Sequence, residues 1–208
     1  MEIQQSYNLW AGQYDTNQNK TRDLEATAIK EVLGGLRFEH GLEIGCGTGK
    51  NTLWLVSKSK RITAIDLSEE MLTRAKQKVK TNKVRFIQAD INNSWDFADG
   101  VYDLISFSLV LEHIEHLEPI FQKVAKVLQP GGYLYLGELH PYRQYGGTKA
   151  RFETDEGQHI VRCYTHHLAD FTQAALNNSL GIITISEYFD EDDRNNPPRI
   201  LSMLFRKN

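Results

Sequence analysis

Leu42-Glu43-Ile44-Gly45-Cys46-Gly47-Thr48-Gly49, followed by Arg61-Ile62-Thr63-Ala64-Ile65-Asp66, is the stretch whose reading decides the fold. It reads as a strand, a glycine turn, a helix, a second strand and a carboxylate. An open α/β sheet holds an adenosine-containing cofactor with this sequence of parts. The glycines let the backbone turn tightly and approach a ligand closely, because no Cβ intervenes. Asp66 stands 21 residues beyond Gly45, where a carboxylate accepts hydrogen bonds from ribose hydroxyls.

Outward from that core the same alternation continues. Leu24, Ala28, Ile29, Val32 and Leu33 recur at helical spacing over 21–33, and Gly34-Gly35 ends that helix. Residues 41–44 form the first strand, and the glycine turn opens a helix to about Lys58. Ser68 is an N-cap, with Glu69 and Glu70 in the first turn and Met71, Leu72, Ala75 and Val79 as the buried stripe. The third strand spans 84–88, with Asp90 just beyond it. The fourth, 102–107, is apolar almost throughout, which suits a strand covered on both faces. A helix carrying Leu117, Ile120, Phe121, Val124, Val127 and Leu128 stops at Pro130-Gly131-Gly132, and 133–137 is strand five. Such regular strand-to-helix units predict a parallel doubly wound sheet with right-handed crossovers.

The ends are different. Residues 1–20 are polar with Tyr7, Trp10 and Tyr14, and read as a cap or short leading helix. Residues 140–165 are aromatic, polar and turn-rich, and read as an insertion over the site. A helix over 166–178 and strands over 181–188 and 199–206 follow. The acidic run 190–198 between those strands is expected to be a solvated connection.

The bulk properties narrow the function. A chain of 208 residues fits a single domain, 1–208, with an ordinary globular composition of 40% hydrophobic and 25% charged residues. A net charge of −3 speaks against a broad nucleic-acid footprint. No signal segment and no apolar run of bilayer length is apparent. Cys46 and Cys163 suggest no disulfide framework. The expectation is a soluble cytoplasmic protein with no membrane or nucleic-acid partner.

Glycine spacing separates two cofactor classes. A dinucleotide fingerprint, G-x-G-x-x-G, needs a small residue at position 50, where Lys50 stands. The pattern from Glu43, E-x-G-x-G-x-G, resembles motif I of the class I S-adenosylmethionine (SAM)-dependent methyltransferases. Ala64-Ile65-Asp66-Leu67-Ser68-Glu69-Glu70-Met71-Leu72, Phe86-Ile87-Gln88-Ala89-Asp90-Ile91, the run from Tyr102 to Ile114, and Leu128-Gln129-Pro130-Gly131-Gly132-Tyr133-Leu134 resemble later family segments in the same order. The resemblance spans about residues 40–137. It implies SAM as cofactor and a Rossmann-like seven-stranded sheet of order 3-2-1-4-5-7-6, its last-inserted strand antiparallel, with a small cap. It also implies a cofactor site of Glu43, Gly45, Cys46, Gly47 and Gly49, with Asp66 on the ribose, Leu67 and Met71 flanking adenine, Asp90 and Ile91 at its edge, and Phe107 and Ser108 near the methionine end.

Each of these residues also has a plainer reading. Asp66 and Asp90 could be turn formers, Cys46 a turn filler and Met71 core packing. Glu112, His113, Glu115 and His116 sit close enough in sequence to suggest a metal, but no further ligands of suitable spacing appear, and none is expected.

The acceptor side is less determined. Tyr7, Trp10 and Tyr14 are candidates for cation–π contact with a sulfonium, Tyr14 being counted with the cofactor site. His140, directly after strand five, is the candidate general base, since the carboxyl ends of such strands open into the ligand crevice. Glu138, His113, Tyr142 and Tyr145 are candidates for the same pocket, and Arg22 for the methionine carboxylate. The expected function is methyl transfer from SAM to a small-molecule acceptor. A SAM-binding protein without turnover and a nicotinamide-dependent oxidoreductase are the alternatives. The methylated atom and the oligomeric state are not legible.

Overall fold

The computed structural model describes residues 2–155 and 157–208. Helices α1 (Ile3–Trp10) and α2 (Lys20–Leu33) lead into β1 (Phe38–Ile44). Then come α3 (Lys50–Leu55), β2 (Ser59–Asp66), α4 (Glu69–Lys78), β3 (Val84–Gln88) and β4 (Tyr102–Ser108). A 3-10 turn, Leu111–His113, precedes α5 (Leu117–Val127) and β5 (Leu128–Leu139). Helix α6 (Pro141–Tyr145), the hairpin β6 (Arg151–Thr154) and β7 (Gly157–Ile160), α7 (Leu168–Asn177), β8 (Leu180–Tyr188) and β9 (Ile200–Lys207) complete the chain.

Seven strands form one sheet in the order β3-β2-β1-β4-β5-β9-β8. The labels run past seven because the insertion contributes its own two-stranded sheet. Counted along the large sheet alone, the order is 3-2-1-4-5-7-6. Strands β1 to β5 pair in parallel, and β9 runs antiparallel to both β5 and β8. Both faces are buried. Ile44, Ile65, Phe107 and Leu136 meet Ile120, Phe121, Val124 and Phe171 from α5 and α7. Leu104, Tyr135 and Leu204 meet Ile29, Leu33, Leu55 and Leu72 from α2, α3 and α4. Each large apolar side chain so covered contributes about 1.5–3 kcal/mol relative to exposure.

Local chemistry sets the boundaries. The Ser68 hydroxyl accepts the Met71 N–H at 3.1 Å, capping α4. α3 stops at Leu55, short of Lys58, because the Ser57 and Lys58 N–H groups turn back onto Trp54 and Leu55 and the Lys58 carbonyl accepts from Phe38. That bond also lets β1 begin earlier than the apolar pattern suggests. β5 likewise starts at Leu128, paired with Tyr102, and the Pro-Gly-Gly segment is an irregularity within the strand.

The insertion folds as α6 and the β6–β7 hairpin. One expectation needs correction: the acidic connection is not wholly solvated, because Asp190 takes both Arg199 (2.5 Å) and Arg143 (3.1 Å). Among the described residues no helix is long and apolar enough to cross a membrane.

Candidate functional site

The glycine turn and the loop after β4 meet at the carboxyl end of the parallel strands. Gly45, Gly47 and Gly49 all have positive φ (71°, 52° and 81°). A Cβ on Gly45 would fall 2.2 Å from Val110 Cγ2, whereas one on Gly47 would meet nothing within 4 Å. The first glycine is therefore fixed by packing, and the second leaves an open face. Asp66 pins this turn from β2: Oδ2 accepts the Gly47 N–H and Oδ1 the Ser68 N–H, both at 2.8 Å. Each oxygen keeps a lone pair for a ligand hydroxyl. The opposite wall is held by Glu138, whose Oε1 accepts the Val110 and Leu111 N–H groups at 3.2 and 3.0 Å. That loop carries Leu109 at φ 58°.

Between these walls lies a cavity of about 740 Å³, its open mouth included. Gly45, Gly47, Asp66, Leu67, Met71, Asp90, Ile91, Ser108 and Tyr14 line it. Ile3, Ala89, Leu109, Val110 and Ile114 also line it, and sequence reasoning missed all five. Leu109 and Val110 carry a local signal, their place directly after strand four. Asp90 faces the cavity and also heads an Asx turn, with Oδ1 accepting the Asn92 N–H at 2.9 Å. Helix α1 is the cover: Ile3 and Tyr7 face inward while Gln4 donates to the Leu67 carbonyl (3.1 Å) and Asn8 bonds Ser68 (2.6 Å).

Glu43 and Cys46 lie apart from the cavity, in an adjoining recess with Arg22, Glu25, Thr48, Lys50 and Asn51. Gly49 and Phe107 line neither space. Gly49 is the left-handed N-cap of α3, and Phe107 is core packing. Burial pushes the Glu43 carboxyl up to about 8, against a 2.5 Å hydrogen bond from Thr52. Burial also lifts Glu25 to about 7, although Ser108 (2.7 Å), Asn51 (2.8 Å) and Tyr135 (3.2 Å) all donate to it. The Arg22 guanidinium is committed to the Tyr14 and Asn17 carbonyls and to Asp23.

A second chamber of about 920 Å³, open to solvent, shares Tyr7, Tyr14 and Leu109 with the first. Trp10, Glu112, Leu139, Lys149, Arg151 and Arg199 also line it. At the junction the Tyr7 hydroxyl lies 2.7 Å from His113 Nε2, and His113 Nδ1 lies 2.8 Å from the Arg162 carbonyl. A carbonyl only accepts, so Nδ1 carries the proton and Nε2 accepts from Tyr7.

His140 is not brought to either chamber. Its Nδ1 accepts the Tyr142 N–H (3.1 Å), capping α6, and its Nε2 lies 3.1 Å from Glu187. Both nitrogens are occupied, and burial lowers its pKa. Being next to strand five fixes where the backbone goes, not which way the ring turns. Tyr142 and Tyr145 point outward, 62% and 56% exposed, and Glu138 is spent on the loop. Glu112, His113 and Cys163 bring ligand-type atoms within 4.8 Å of one another. Both His113 nitrogens are engaged, however, and burial raises the Cys163 thiol to about 12. Glu115 and His116 do not join that group.

Residues 42–136 match a family model described as a methyltransferase domain. A malonyl-[acyl-carrier protein] O-methyltransferase of Enterobacter lignolyticus is 26% identical over 82% of this chain and 67% of its own length. The N-methyltransferase NodS of Bradyrhizobium japonicum, solved with S-adenosyl-L-homocysteine, superposes with a TM-score of 0.72 at 21% identity, covering 100% of this chain and 99% of that one. A SAM-dependent methyltransferase of Mesorhizobium loti gives 0.72 at 20% identity over 89% of this chain and all of its own. The glycine cradle, the carboxylate beneath it and the apolar cavity fit an adenosyl ligand. Residues 42–136 are thus similar to methyltransferase domains, and the fold is the one that SAM-dependent methyltransferases share.

Proposed function

We propose that the protein transfers a methyl group from SAM to a small-molecule acceptor held in the second chamber, in a reducing cytoplasmic setting where Cys46 and Cys163 stay unpaired. The observation that carries this reading is the contact between the two chambers through Tyr7, Tyr14 and Leu109. Methyl transfer requires donor and acceptor held close together in the right orientation, and chambers that meet at Tyr7, Tyr14 and Leu109 bring them side by side.

In this reading Asp66 accepts the ribose hydroxyls, Leu67 and Met71 enclose the adenine, and Asp90 and the Ile91 N–H meet its edge. Glu25, Ser108 and the recess beside the glycine turn face the methionine end. Bound SAM supplies an electrophilic methyl on a cationic sulfur. Tyr7 and Tyr14 present electron-rich rings to that charge. Where the acceptor loses a proton, Tyr7 takes it while passing its own to His113 Nε2. The nearby Glu112 carboxylate, 4.0 Å from that nitrogen, steadies the imidazolium.

The reading is tested by titrating S-adenosylhomocysteine into wild-type and Asp66→Ala protein, then supplying SAM with a panel of acceptors and following release of S-adenosylhomocysteine. Saturable binding without release from any acceptor would leave a binding protein. NAD binding in place of the adenosyl ligands would overturn the reading.

A further inference from the structure

We propose that the acceptor is an oxyanion-bearing small molecule, a carboxylate or a phosphate, seated between the N-terminus of α2 and the Lys149–Arg151 edge of the insertion. The inference rests on the methyltransferase reading above and names the substrate class of the same site.

Three observations carry it. First, the chamber is lined by four cationic side chains, Lys20, Lys149, Arg151 and Arg199, against one carboxylate, Glu112. Arg199 is neutralised by Asp190, and Lys20 lies 3.6 Å from Glu191. Lys149 and Arg151 have no carboxylate partner among the described residues, so their charge is available to a ligand. Second, Asn19, Lys20 and Thr21 bring the first turn of a 14-residue helix to the wall. Asn19 Oδ1 takes the Arg22 N–H, leaving those of Lys20 and Thr21 outside the helix's own bonding. Helix N-termini of this kind attract oxyanions.

Third, two buried polar atoms on residues lining the chamber have no hydrogen-bond partner. They are Trp10 Nε1, a donor, and Glu112 Oε2, an acceptor; each residue is only 6% exposed. An unpaired buried polar group costs about 1–3 kcal/mol, and a ligand that satisfies it recovers that cost. An acceptor with a negative oxygen on the Trp10 side and a hydroxyl or amine on the Glu112 side satisfies both once the two side chains turn to meet it. The Glu112 end also adjoins the Tyr7–His113 pair, so the group to be methylated lies toward the cofactor and the anion away from it. The indole and Leu139 give the middle of the chamber an apolar wall.

The test uses full-length protein saturated with S-adenosylhomocysteine, titrated by calorimetry with 4-hydroxybenzoate against 4-hydroxybenzamide and with phenyl phosphate against phenol. The expected result is saturable binding of at least one charged member, about tenfold or more tighter than its uncharged partner. Which pair shows it tells carboxylate from phosphate. Lys149→Gln with Arg151→Gln should abolish the preference while leaving S-adenosylhomocysteine affinity unchanged, which reports that the fold survives. Equal binding of charged and uncharged members, no binding of any of them, or a preference indifferent to the double substitution overturns the inference and leaves the methyltransferase reading standing. Failure to bind S-adenosylhomocysteine at all removes both.

Discussion

Asp66 carries two duties at once, and its substitution separates them. Its oxygens hold the Gly47 and Ser68 N–H groups, so the carboxylate shapes the glycine turn before any ligand arrives. Asp66→Ala is expected to weaken S-adenosylhomocysteine binding by about 1–3 kcal/mol for the lost buried hydrogen bonds, with a small fall in melting temperature, both read in one calorimetric series. Gly45 fails differently. Gly45→Ala must place a Cβ 2.2 Å from Val110 Cγ2 at φ 71°, and overpacking with left-handed strain costs about 2–4 kcal/mol. Chemical denaturation should show that loss even without ligand. His140→Ala makes the opposite test. With both ring nitrogens bonded to Tyr142 and Glu187, the variant should lose about 1 kcal/mol of stability as a lost cap and keep kcat within about twofold; a hundredfold loss of kcat would restore it as the base.

At the scale of elements, the site is a meeting of the glycine turn with the loop after β4, and Glu138 from β5 is the residue that joins them. Removing its carboxylate leaves the Val110 and Leu111 N–H groups without their acceptor inside the protein. Glu138→Ala should therefore cost about 2 kcal/mol or more and weaken S-adenosylhomocysteine binding as well, because Val110 lines the cavity; equilibrium unfolding and calorimetry read the two effects. The sequence reveals the strand–turn–helix units readily, since each is written in a short window: an apolar run, a glycine or Ser68 cap, and a helical stripe. The resemblance of those windows to family segments put Asp66, Asp90 and Met71 at a cofactor site, and all three line the cavity. The second chamber is another matter. Lys20, Lys149 and Arg199 come from three distant segments, and no local pattern marks them as neighbours. Glu25 drew no notice in the sequence, and only the tertiary approach of Ser108 and Tyr135 shows it as part of the site. His140 failed because chain position fixed its backbone while Glu187, 47 residues on, fixed its ring.

Over the whole molecule, the unusual quantity is buried acid. Burial raises Glu25 to about 7 and both Glu43 and Glu138 to about 8, against an ordinary value near 4.3 in the unfolded chain. Between those limits the folded protein binds more protons than the unfolded one, so stability falls as pH rises. The contribution is complete below about pH 4 and is lost as pH passes through 7 to 8. Buried His40 and His140, lowered by burial, act in the reverse sense. Their unfolded forms are half protonated near pH 6.5, so their opposing effect is small and fades by about pH 7.5. The lowered Asp15, Asp23 and Asp190 act only in acid. Between pH 6.5 and 8 the raised glutamates dominate, with buried Glu112 and Asp66, also raised by burial, acting in the same sense, and ligand-free protein should lose about 2–4 kcal/mol across that window. For a chain of this size that is roughly 5–15 °C in Tm. Glu43→Gln, which keeps an acceptor for Thr52 without the charge, should flatten the slope by about a third. A flat profile for the wild type between pH 6.5 and 8 would mean that these carboxyls ionise freely and that the recess beside the glycine turn is wetter than its packing implies.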